Sequence, residues 1–137
     1  MSDDLAKMIQ HHEGCITIPY QDSLGIWTVG FGHNMSKPLS AKAIQQIFED
    51  DLNDAINDCL HAFPWFYDLS LKRQHVLVDM CFNMGISRLQ HFKKFLAACE
   101  AGEYETAADE MLDSVWAQQV KSRAIELAAV MRGSTDI

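Results

Sequence analysis

The stretch from Glu13 to His33, EGCITIPYQDSLGIWTVGFGH, restricts the possible folds of this chain more than any other. It carries an acid at each of positions 13 and 22, a hydroxyl at 28 and a histidine at 33, with glycines at 14, 25, 30 and 32. Ile16-Thr17-Ile18 and Trp27-Thr28-Val29 are rich in β-branched and aromatic side chains, so each reads as a strand. Asp22-Ser23-Leu24-Gly25 reads as the turn that joins them. A hairpin of this kind can gather Glu13, Asp22 and Thr28 around one cleft.

Two carboxyl groups beside a hydroxyl are the equipment of a glycosidase. One acid protonates the leaving oxygen, and the other carboxylate handles water or the cation-like centre. The spacing is also specific. Glu13-Gly14, Tyr20-Gln21-Asp22 and Gly25-Ile26-Trp27-Thr28-Val29-Gly30-Phe31-Gly32-His33 resemble, without a gap, the active-site pattern of the phage-type lysozymes, glycoside hydrolase family 24. The isolated Gly30-Phe31-Gly32 would carry little weight alone.

The resemblance implies an α+β, lysozyme-like fold. A small N-terminal β-hairpin lobe, about 13–36, is joined by a long helix, about 41–61, to a mainly helical C-terminal lobe, about 65–132. It implies hydrolysis of the β-1,4 bond between N-acetylmuramic acid and N-acetylglucosamine in peptidoglycan, with inversion. Glu13 is expected as general acid, with Asp22 and Thr28 holding the water. Asn34, Phe82 and Asn83 are expected to contact substrate, although Phe82-Asn83-Met84-Gly85 also reads as a plain helix end. Trp116 and Arg123 match the family's closing segment, where a Trp supports the site and an Arg pairs with the acid; a surface arginine is the other reading of Arg123. His33 is expected to support the hairpin through a hydrogen bond. No metal or organic cofactor is implied.

Composition narrows the alternatives. A chain of 137 residues with 48% hydrophobic content suits one folded domain. Its net charge of −8 leaves no basic stripe for nucleic acid and departs from the many basic phage lysozymes. No window approaches the roughly 20 apolar residues of a membrane span, and Met1-Ser2-Asp3-Asp4 lacks the pattern of a signal peptide. Together with the resemblance, these features imply a monomer made in the host cytoplasm, acting on the glycan strand once a holin-type pore has breached the membrane. Two rivals remain: a catalytically idle wall-binding module of a phage tail or secreted effector, and another glycan enzyme, such as a chitinase-like hydrolase or a lytic transglycosylase. Retention of Glu13, Asp22 and Thr28 together favours hydrolysis over both.

The rest of the chain reads as helices. Ser2 can cap a first helix over 3–12 with Leu5, Met8, Ile9 and His12 on one stripe. His11 and His12 lack the spacing that places two imidazoles on one helix face. Ser40 caps the long helix, whose stripe includes Ile44, Ile47, Phe48, Leu52, Ala55, Ile56 and Cys59, and Pro64 ends it. Trp65, Phe66 and Tyr67 read as a lid on the core or as a sugar platform. Ser70 and Gly85 bound a helix over 71–84 that is apolar nearly all round. Residues 87–101 give one broken helix or two, and Tyr104–Leu112 another. The tail after Gly133 is expected to fray. The cysteines at 15, 59, 81 and 99 form no Cys-x-x-Cys pair and fit free thiols; 59, 81 and 99 lie at core positions, and a nucleophilic role for Cys15 is redundant beside the carboxyl pair.

Overall fold

Acidic residues open the first helix and histidines close it, as the helix dipole favours. α1 runs Asp3–Glu13 in the computed structural model, which describes residues 3–133. The expected Ser2 cap and residues 134–137 lie outside the described residues. Gly14, at φ +67°, turns the chain out of the helix and donates its N–H to Gln10 O at 2.9 Å. The expected apolar stripe stays open: Met8 is 51% and Ile9 47% exposed, and no residue of α1 is buried.

Three antiparallel strands follow in the order β1-β2-β3: β1 Ile16–Gln21, β2 Trp27–Gly30 and β3 His33–Asn34. The expected hairpin therefore gains a third, two-residue strand. β1 continues through Pro19 to Gln21, beyond the expected end at Ile18. Proline is tolerated there because β1 is an edge strand. Thr28 on the central strand is paired with Tyr20 on one side and Asn34 on the other. Cross-strand partners point to the same face, so these three side chains form one row.

The chain divides into two compact units between Ile44 and Gln45, near the start of α2, Ala41–Ala62. Ser40 Oγ accepts the Ala43 N–H at 3.1 Å and starts the helix. Of its expected stripe only Ala55 and Cys59 are buried. Phe48, Leu52 and Ile56 instead line a groove of about 450 Å³ with Val78 and Phe82.

The second unit is helical. A 3₁₀ turn at Phe66–Asp68 leads to α3 Leu71–Met84, α4 Ile86–Gln90, α5 Lys93–Ala101, α6 Tyr104–Leu112, α7 Val115–Val120 and α8 Ser122–Arg132. Ser70 Oγ accepts from Arg73 N at the start of α3, and Gly85, at φ +85°, ends it. α3 is less uniformly inward than its sequence suggests. Val76, Leu77, Met80 and Cys81 are buried, whereas Leu71 is 66% exposed. The core joins these to Leu89, Phe95, Met111, Trp116 and Met131. Phe66 is buried in it and Trp65 packs against it, the lid role; Tyr67 points outward.

Cys59, Cys81 and Cys99 are buried and Cys15 is exposed, all as free thiols. Burial pushes the Cys99 thiol up to about 12 and raises Cys59 and Cys81 as well. The expected result of alkylation at pH 8 is therefore one modified thiol in the native protein and four after denaturation, read by mass spectrometry. Rapid native modification of Cys99 would contradict it. The sign for stability follows: a folded-state value raised above the ordinary 9 stabilises fully below pH 9 and is lost as pH climbs toward 12.

Candidate active site

Asp22 is built into its turn by two layers of hydrogen bonds. Its Oδ1 accepts the N–H of Leu24 at 2.8 Å and of Ile26 at 2.9 Å. Its backbone N–H donates to Ile26 O, and Gly25 N–H returns to Asp22 O, each at 2.9 Å. Aspartate favours this position because its short side chain can bond the backbone just ahead of it. Gly25, at φ +79°, completes the turn.

Thr28 is only 5% exposed, and its hydroxyl donates to Ile26 O at 2.9 Å. One carbonyl oxygen thus holds both the Asp22 backbone and the Thr28 side chain. With its hydrogen committed, the Thr28 oxygen can only accept from a further partner such as water. Asn34 Oδ1 accepts from Ser36 N at 2.9 Å, which leaves the amide nitrogen for other contacts.

Glu13 is the last residue of α1 and is exposed. Its carboxylate lies against Gly32, between β2 and β3: a Cβ placed on Gly32 would stand 2.8 Å from Glu13 Oε2. Glu13, Asp22, Thr28, His33 and Asn34 therefore all belong to the N-terminal unit. His33 lies opposite Val29 in the sheet, and its Nε2 is buried with no hydrogen-bond partner among the described residues. The expected supporting hydrogen bond is not made by that atom.

The remaining expected residues lie in the second unit. Trp116 is buried on α7, and its Nε1 donates to Asn83 Oδ1 at 2.9 Å. Asn83 is thereby tied to the core rather than left free at the helix end. Phe82 is 39% exposed, with its ring 5.7 Å from that of Phe48. Arg123, the expected partner of Glu13, is in this structure bonded to a carboxylate of its own unit. Its Nε and Nη2 converge on Asp79 Oδ1 at 2.8 and 2.7 Å. Sequence reasoning did not single out Asp79, which sits 44 positions away on α3. It also missed the turn at Lys121, a non-glycine residue at φ +50° that separates α7 from α8.

Comparison with known proteins agrees with this architecture. Two relatives from Dictyostelium discoideum cover nearly the whole chain. "Probable T4-type lysozyme 2" is 26% identical and "Probable T4-type lysozyme 1" 23% identical, each alignment taking in 98% of this chain and 97% of the relative. The "Pre-baseplate central spike protein Gp5" of Enterobacteria phage T4 is 28% identical over 93% of this chain, which corresponds to 27% of that longer protein. The phage lysozyme family matches residues 10–131, and the chain is therefore a member of that family, a cell-wall hydrolase of muramidase type.

Proposed function

We propose that the chain hydrolyses the β-1,4 bond between N-acetylmuramic acid and N-acetylglucosamine in peptidoglycan, with inversion at the anomeric carbon. Glu13 gives its proton to the leaving oxygen as the C1–O bond breaks. Asp22 takes a proton from the water whose oxygen attacks C1, and Thr28 accepts that water's second hydrogen. Asn34, in the same row as Thr28, is available to a sugar substituent. The observation that carries this reading is the shared Ile26 carbonyl, which couples Thr28 to the Asp22 turn and turns the threonine oxygen into an acceptor. A carboxylate that attacks carbon itself needs no such helper. An inverting pair stands about 6.5–9.5 Å apart to admit the water, a retaining pair about 5–5.5 Å.

The role that suits this activity is wall digestion in phage-driven host lysis, after a pore opens the membrane. No helix among the described residues is long and apolar enough to cross a membrane. The spike-protein relative favours a second delivery, the same enzyme carried on a phage tail. A turbidity assay separates the two: a pore-dependent enzyme clears chloroform-treated cells and leaves intact ones standing, while tail delivery predicts its presence in purified particles.

The chemistry is tested on the product. Hydrolysis with inversion gives a fresh α-anomer at the new reducing end, visible by proton NMR before mutarotation. A β-anomer, or a trapped glycosyl ester on Asp22, would replace inversion with retention. Anhydro products by mass spectrometry would mean a lytic transglycosylase.

A further inference from the structure

We propose that Gly32 is a positioning residue, and that the space left by its missing side chain is the seat of the Glu13 carboxyl. Within the N-terminal unit no hydrogen bond or ion pair holds that carboxylate, and Glu13 is exposed at the end of its helix. What the carboxyl meets within that unit is the bare backbone of Gly32. A Cβ on Gly32 would lie 2.8 Å from Oε2, 3.2 Å from Cδ and 3.7 Å from Cγ of Glu13. The first distance is closer than carbon and oxygen tolerate, and the second is already tight.

The neighbouring glycines show that this is specific. Gly14, Gly25 and Gly30 also have positive φ, between +67° and +79°, but a Cβ on any of them would meet nothing within 4 Å. Backbone conformation accounts for those three. Gly32, at φ +77°, is needed for conformation and for space as well. The atom that a methyl group at 32 would strike is the end of a flexible side chain, so the fold can yield by letting the carboxyl swing away. The acid should lose its place while the sheet survives.

This inference rests on Glu13 being the general acid, and its test keeps the two apart. Gly32→Ala and Gly30→Ala are compared, since both impose a left-handed alanine but only the first fills the seat. In Gly32→Ala the side-chain carboxyl carbon of Glu13 should show an altered 13C shift and titration curve, read by NMR without substrate. Its kcat should fall about 10²-fold, the scale of a misplacement near 1 Å, with KM little changed. Gly30→Ala should leave the Glu13 carboxyl signal in place and keep the greater part of kcat. Equal loss of kcat in both variants, or an unmoved Glu13 signal in Gly32→Ala, would overturn the seat. If the Glu13 signal moves but kcat holds, the carboxyl is seated as described and the acid assignment is what fails.

Discussion

Glu13→Gln should lower wall lysis about 10²–10⁴-fold, equivalent to about 3–5 kcal/mol of barrier, with almost no change in thermal unfolding. The first half of that expectation is chemical. Glutamine keeps the volume and shape of glutamate and still fits against Gly32, but it has no proton to transfer to a leaving oxygen. The second half is structural. Glu13 is exposed, closes α1, and within the N-terminal unit makes no side-chain hydrogen bond or ion pair that the substitution would break. Exposed substitutions of this kind stay within about 0.5 kcal/mol. The measurement pairs turbidity clearance with circular dichroism melting on the same samples. A folded variant with near wild-type turnover would remove Glu13 from the mechanism.

The helices of the second unit were legible wherever a local signal bounded them. α3 runs Leu71–Met84 because Ser70 caps it and Gly85 leaves it at positive φ, and both signals stand in the sequence. α6 was equally readable, from Tyr104 to Leu112. The third strand was not, because His33-Asn34 has neither length nor apolar alternation. It forms because Gly30 and Gly32, both at positive φ, return the chain alongside β2. The break between α7 and α8 was hidden for the opposite reason, since Lys121 adopts a conformation that its residue type does not advertise.

Within the candidate site, the motif singled out two carboxyl groups but not what holds them. Spacing placed Asp22 in a turn and Thr28 on a strand, and both stand there. That one carbonyl binds both residues depends on register, which no residue count reveals. The Arg123–Asp79 pair is likewise invisible to periodicity, because it joins α8 to α3 across 44 positions. Amphipathic pattern overstated burial in α1 and in the first half of α2. A stripe records which face could be covered, and in α1 Met8 and Ile9 remain about half exposed.

Asp22 separates architecture from chemistry through two substitutions. Asp22→Asn retains an Oδ1 acceptor for the N–H groups of Leu24 and Ile26, so the turn should persist. The loss is the difference between charged and neutral hydrogen bonds, about 1 kcal/mol. The amide cannot take a proton from water, so turnover should still fall about 10²–10⁴-fold. Asp22→Ala should match that loss of turnover and add a structural penalty. The Leu24 N–H is exposed and can turn to solvent, but the Ile26 N–H is partly buried and loses its side-chain acceptor. Leaving such a donor unpaired costs about 1–3 kcal/mol. The Ala variant should therefore melt several degrees below the Asn variant while being equally inactive. Loosening of the turn would also free the Ile26 carbonyl, so the Thr28 hydroxyl should exchange with solvent faster in Ala than in Asn. Near wild-type turnover in Asp22→Asn would show that the carboxylate is not the base. Identical melting of the two variants would show that Oδ1 does not brace the turn, and the coupling between the Asp22 turn and Thr28 would then lie in the backbone alone.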